Sequence, residues 1–426
     1  MSFALDPALA ARLAADTGLW RDFNDICDCG GRLAGTASEK KAFALLRERV
    51  RAASPANSGR SIPVPYNGWR AKKASLRLSN GTMAACHPLV RTIATANDGL
   101  TAEVIDLGRG TPDEFAEHAA DIKGRIALVR HELMFAAGTI HRRRKYDMAR
   151  AAGAAGFLIG WPLPGHVVAG SSGRDRGEGI PAFGIAPETA ARLARTGAGW
   201  PSVTMTIETE EGPAETETLV YDYPGTTDEW VVLSAHVDGH DLAESAMDNG
   251  SGLAAVLAVT RALAPQVAGF RRGLRVMFFS VEEWALTGSA QYVEALSEAD
   301  RARIALNVNL DSVAGSPNLA ALSSGYAGVE PFLLKVAEAN GQSLRTVRPL
   351  MTNSDHANFA AGGIPAIRLV AGFDDPMAHL RVVLTPADTR DKVAHGELRQ
   401  ATLLTAALVA AACNADPAEV AQWRMR

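Results

Sequence analysis

EWVVLSAHVDGHDLAESAMDNGSG, Glu229 to Gly252, is the stretch whose reading decides the fold. It opens with an apolar run, Trp230 to Ala235, that predicts a buried parallel strand. His236 and Asp238 follow where the run stops, and Asp248 stands at the head of a Gly/Ser-rich turn. Leu253 to Leu263 then predicts a helix. An imidazole and two carboxylates therefore sit where a strand gives way to a helix. Open α/β sheets bind ligands at that carboxyl end. Imidazole with carboxylate is a donor set for a borderline divalent ion such as zinc.

A chain of 426 residues exceeds one ordinary compact core, so two domains are expected. Hydrophobic content of 47% and charged content of 21% are those of a soluble globular protein. The net charge of −4 offers no global attraction for nucleic acid or an anionic membrane, and neither is expected as a partner. MSFALDPALAARLAADTG lacks the basic region and apolar core of a signal peptide, and the apolar run Thr402 to Cys413 is too short to span a bilayer. Cys27, Cys29, Cys86 and Cys413 are few and irregularly spaced, which argues for buried or inert thiols rather than a disulfide framework. A reducing, cytoplasmic compartment is the expectation. The oligomeric state stays open, with a homo-oligomer as one option.

Along the chain, residues up to Ala53 read as helical with a break at Cys29-Gly30-Gly31-Arg32, the later helix running from Ser38. Ser54 to Arg60 reads as a polar loop, and Ala74 to Leu78 as a short strand ending at Ser79-Asn80-Gly81. From Leu89 to Thr204 short apolar runs alternate with a helix at Tyr146 to Ala152, and Gly and Pro cluster from Gly160 to Gly184. This texture marks a separate β-rich module. The expected division is 1–85 and 211–426 for the host domain, with 86–210 inserted. After Glu217 strands at 219–223, 230–235, 274–280, 304–310 and 366–370 alternate with helices. That order predicts an α/β fold, a mostly parallel mixed sheet covered on both faces.

Four strand ends in this half finish in potential ligands. His236, Asp238 and Asp248 follow the first, Glu282-Glu283 the second and Asp311 the third; Asp374, Asp375 and His379 follow the fourth. Carboxylates gathered on one rim repel unless cations neutralise them. Two divalent ions would do so and would create a hydrolytic site.

The HxD at His236, the DNGSG from Asp248, EEWALTGS (Glu282 to Ser289), Asn309 to Asp311, the SDH of Ser354 to His356 and the TPADT of Thr385 to Thr389 occur in order. Together they resemble the successive motifs of the co-catalytic zinc aminopeptidases, the family of glutamate carboxypeptidase and the transferrin receptor. KGRIALV, KYDMARAAGAAGFLIG and IPAFGI resemble the protease-associated domain that is inserted in this family, and CGGRLAGTASEKKA resembles its first helical motif. The resemblance implies a three-layer α/β sandwich and a zinc-dependent exopeptidase, an aminopeptidase hydrolysing short peptides or amino-acid amides. It implies His236 and Asp311 on one zinc, Asp248 bridging, Glu283 on the second, Asp238 orienting His236 through its other ring nitrogen, and Glu282 as general base.

One position departs from the pattern. The family's last ligand is a His directly before the Thr of HTxxDT, and here that residue is Leu384. His379, five residues earlier, is the substitute put forward; otherwise the second zinc is weakly held, absent, or served by His356 or Asp375. One or two zinc ions are therefore expected. His240 and His395 read as surface residues, and His141 to Lys145 as a solvated helix face. Arg368 and Arg381 could hold a substrate carboxylate or pair with Asp374 or Asp375. The alternatives are a carboxypeptidase or N-acyl amino acid amidohydrolase on the same site, a receptor-like protein that lost catalysis, and a single-zinc glutaminyl cyclase.

Overall fold

The computed structural model describes residues 3–174, 177–195 and 199–426. Its centre is the strand Trp230–His236, flanked in parallel by Gly273–Phe279 on one side and Ile304–Leu310 on the other. All three are buried almost throughout, as strands covered on both faces must be. Ala366–Ala371 extends the sheet in parallel beyond Ile304–Leu310, and Leu319–Leu322 joins it antiparallel. The sheet is therefore mixed, with a parallel centre. The chain leaves Trp230–His236 for a neighbour on one side and later returns on the other. The ends of these three strands thus open a crevice at a switch point.

The helix Gly252–Leu263 lies against this centre, with Thr17–Cys27 and His395–Asn414 packed on it. Ten of its residues are buried, three of them alanines and one a glycine, and these small residues let two helices and a sheet approach it at once. Thr287–Ala295 and His356–Ala361 cover the other face, where the rings of Phe279, Tyr292 and Phe359 meet at centroid distances near 6 Å. The result is the expected three-layer α/β arrangement.

The N-terminal helices and four of the five strands of the second half lie where the sequence placed them, within a few residues, whereas the strand expected at 219–223 is the end of the far longer Ser202–Tyr223. The strand expected at Ala74 to Leu78 is far longer, Arg60–Leu78, and pairs antiparallel over its whole length with Ser202–Tyr223. Pro63, Pro65, Gly68 and the Lys72-Lys73 pair disguise it. A two-stranded ribbon with one wet face does not need a continuous apolar signature. This ribbon carries the host sheet into the inserted module. The far end of Ser202–Tyr223 pairs with Leu100–Asp106, which begins a parallel series through Ile126–Arg130, Gly156–Gly160 and Ala182–Ile185. The module has a core of its own, built on Val104, Leu128, Leu158, Phe183 and their neighbours.

Because Gly252–Leu263 is packed on all sides, Ala258→Leu should lower stability by about 1–3 kcal/mol through overpacking. A urea midpoint equal to that of the wild type would contradict this packing.

Candidate metal centre

The loop after Trp230–His236 holds three of the site's side chains, and the N-terminal motif holds the loop. Arg32 is fully buried and donates to four backbone carbonyls: Val237 (2.8 Å), Gly30 (3.0 Å), Glu244 (2.8 Å) and Ser245 (2.8 Å). Gly31 lies so close that a Cβ there would stand 1.6 Å from the His240 carbonyl oxygen. Glu39, on the helix Ala37–Ala53, accepts from Gly35 N and Thr216 Oγ1, both at 2.7 Å, and from Ser280 Oγ, joining the same motif to the strand before Glu282.

His236, Glu282 and Asp311 form one buried group, and His240, Asp248 and Glu283 a second. The His236 Nε2 atom lies 3.1 Å from Asp248 Oδ1 and 3.7 Å from Asp311 Oδ1, without hydrogen-bond geometry to either. In the second group His240 Nε2 and Glu283 Oε1 are 2.7 Å apart, again with neither making a hydrogen bond. Buried donors are normally satisfied. Lone pairs that converge from imidazole and carboxylate without satisfying each other are what a divalent cation requires, and nitrogen with oxygen suits zinc. The residues present fit two such ions, with Asp248 near both.

The charge balance points the same way. Burial, reinforced by Glu283, Asp355 and Asp311, lifts Glu282 well above the usual glutamate range against the pull of His236. Burial also raises Asp248, helped by Glu283 and Asp311. Burial opposes ionisation of Asp311, but Arg368 at 3.0 Å and His236 outweigh it and hold that carboxyl below its ordinary range. His240 likewise overcomes burial to depress Glu283. Carboxylates crowded in this way ionise together only beside cations.

Asp238 departs from its expected role. Its carboxylate stands 3.9 Å from His236 Nδ1, whereas its backbone carbonyl lies 2.9 Å away. The carbonyl orients the imidazole. The carboxylate instead accepts the backbone N–H groups of Glu282 and Glu283, both at 3.1 Å, and so fixes the turn that carries them. Asp388, from TPADT, holds the other side in the same manner, accepting from Met247 N at 2.8 Å and Asp248 N at 3.3 Å; burial pushes it up to about 7.

His379 is not brought to the cluster. It is exposed, and its Nδ1 meets the Lys392 carbonyl at 2.9 Å. Asp375 spends a carboxylate oxygen on Met377 N in the same loop. His356 is buried in the core, and burial pushes its imidazole down to about 3. His240, read from sequence as a surface residue, is the residue that joins Glu283. The available signal was its place in HVDGH, four residues after His236 in a loop already rich in ligands. Leu384 lines the same cavity as Asp248 and Glu283, where its apolar side chain supplies no donor. Two further readings change. Arg368 pairs with Asp311, while Asp374 pairs with Arg345 at 3.1 Å, and Arg381 donates to the Pro376 carbonyl away from the cavity. Within His141 to Lys145, Arg142 and Lys145 are buried, and His141, Arg142 and Arg143 line the cavity opposite the carboxylates. The helix face faces the site rather than water because the inserted module folds back over it.

Comparison with known proteins bears on the family and the fold. Residues 218–409 match the model of peptidase family M28, and residues 85–193 match the PA domain. The chain is 26% identical over 392 residues to aminopeptidase YwaD of Bacillus subtilis, covering 89% of this chain and 81% of that protein. Among solved structures it is similar to BSAP, a zinc aminopeptidase from Bacillus subtilis, with a TM-score of 0.73 at 24% identity, covering 93% of this chain and 95% of the other. A peptidase M28 precursor from Shewanella amazonensis aligns with a TM-score of 0.79 at 21% identity, covering 96% of each chain.

Replacing Arg32 by Ala strands four carbonyls beneath the site. The expected cost is about 3–5 kcal/mol of unfolding free energy, read by denaturant titration of the metal-free protein. A loss within experimental error would show that the loop does not depend on this guanidinium.

Proposed function

We propose that this chain, whose residues 218–409 form a peptidase family M28 domain with a PA domain ahead of it, is a zinc-dependent aminopeptidase that uses two ions on short peptides. The observation that carries this reading is the pair of buried imidazole–carboxylate groups meeting at Asp248, in the crevice above three adjacent parallel strands. His236 and Asp311 would hold one ion, His240 and Glu283 the other, and Asp248 both.

Bound there, the ions would lower the pKa of a water molecule and polarise the scissile carbonyl. Glu282 shares the first group with His236 and Asp311, so its carboxylate would stand beside a water that attacks from that site. It would take the proton of that water and deliver it to the departing nitrogen. Asp238 keeps Glu282 and its neighbour in register through their amides, and Arg368 keeps Asp311 ionised. These positions are fixed before substrate arrives, so little reorganisation is needed in the transition state.

Loss of the family's last histidine would favour a receptor-like protein that had given up catalysis. His240 beside Glu283 removes the force of that reading, and Glu282 has no purpose in a protein that only binds. The proposed compartment is the cytoplasm, supported by four free thiols, three of them buried.

Glu282→Gln should keep its zinc and lose at least about a hundredfold in hydrolysis of aminoacyl-anilides, the usual worth of a general base. Undiminished turnover would remove Glu282 from that role. By elemental analysis, His240→Ala should retain about half the wild-type zinc while His379→Ala retains all of it, as expected when one of two sites loses a ligand. The reverse pattern would restore His379 as the ligand.

A further inference from the structure

Most of the bonds around the two groups hold side chains in place without bringing them charge. The contact with Asp311 is different. Arg368 Nη2 lies 3.0 Å from Asp311 Oδ1, whereas among the described residues no lysine or arginine forms an ion pair with Asp248, Glu282 or Glu283. Asp311 Oδ1 also accepts from Ser312 Oγ at 3.0 Å, and this same oxygen stands 3.7 Å from His236 Nε2. The oxygen that an ion beside His236 would use therefore already answers a hydroxyl and a guanidinium. In the other group, His240 Nε2 and Glu283 Oε1 make no hydrogen bond at all.

Arg368 has no room to step aside. It belongs to the strand Ala366–Ala371, where it lies beside Asn309 of the neighbouring parallel strand, and it is only 1% exposed. Its Nη1 donates to the Asn353 carbonyl at 3.2 Å, and the Phe135 ring covers the guanidinium with its centroid 5.1 Å away. Nor can it lose its charge. An imidazole sheds its proton when a metal ion binds, but a guanidinium stays protonated in proteins. An ion on Asp311 Oδ1 would stand within about 5 Å of Nη2, given the ordinary length of a zinc–oxygen bond. Positive charges that close, away from solvent, repel each other with little screening. Arg142 and Arg143 act on both Glu282 and Glu283 from across the cavity, so they do not distinguish the two groups.

We propose that Arg368 is a resident counter-ion of Asp311, and that it makes the ion between His236 and Asp311 the weaker of the two and the later to bind. The proposal rests on the two-ion reading above and adds to it an order of filling and the residue that sets it. Glu282 belongs to the weaker group. The step it serves would then wait for the later ion, and activity would follow the concentration of free zinc after the tighter site is full.

The test titrates the full-length metal-free protein with zinc by calorimetry, with a competing chelator to set the free ion. The wild type should take up two ions with dissociation constants at least about tenfold apart. Arg368→Gln should tighten the weaker step by at least about tenfold and leave the tighter step within about twofold. Arg368→Lys, which keeps the charge, should stay near the wild type. Circular dichroism of each metal-free variant checks that it is folded. Wild-type crystals grown with one equivalent of zinc give a reading that needs no variant: the anomalous signal should lie at His240 and Glu283. Signal at His236 and Asp311 instead, two equal steps in the wild type, or a weaker step that Arg368→Gln leaves unchanged or loosens, overturns the proposal. Unequal steps that respond to Arg368→Gln, in a protein that hydrolyses no aminoacyl-anilide, sink the aminopeptidase reading and leave the counter-ion standing. An active enzyme with equal sites does the reverse.

Discussion

Four carboxylates and two imidazoles cannot be buried together without positive charge between them. Charges withdrawn from water lose several kcal/mol of hydration each, and like charges at these separations add to the penalty. The fold gathers them nonetheless, from three strand ends and one loop. The surrounding bonds hold the groups in position and do not neutralise them. Asp238 and Asp388 spend their carboxylates on backbone amides, and Arg32 spends its guanidinium on backbone carbonyls. The network is arranged to hold donors still for cations that balance their charge.

Seen this way, the exchange of a histidine for Leu384 is compensated within a neighbouring loop. The position before Thr385 no longer supplies an imidazole, and His240 brings one to Glu283 from the opposite side. Close approach makes this possible, because Gly31 allows the His240 backbone to lie against the N-terminal motif. The Leu384 backbone carbonyl accepts from Ala169 N and joins the inserted module to the host domain.

The strand ends were legible because periodicity marks a buried strand, and a polar residue directly after it can only sit on the rim. His236, Asp248, Glu282, Glu283 and Asp311 all followed from that rule together with the family resemblance. His240 was not legible by the same rule. It lies in an irregular loop, where no period says which way a side chain points, and a lone histidine there is usually solvated. Arg142 and Arg143 were hidden for a different reason. Their helix reads as polar, and only the way the module folds back on the ribbon Arg60–Leu78 and Ser202–Tyr223 turns that face inward. The ribbon was itself concealed by its prolines and lysines. The role of the Asp238 carboxylate was missed because a two-residue spacing fixes neighbours in sequence and leaves open whether backbone or side chain makes the contact.

The central claim is that cations occupy the space among these donors. Anomalous diffraction at the zinc absorption edge, from crystals grown with zinc, tests it most directly. The account predicts two peaks on either side of the Asp248 carboxylate, one bounded by His236 and Asp311 and the other by His240 and Glu283. A single peak, or a second peak bound by His379, would contradict it.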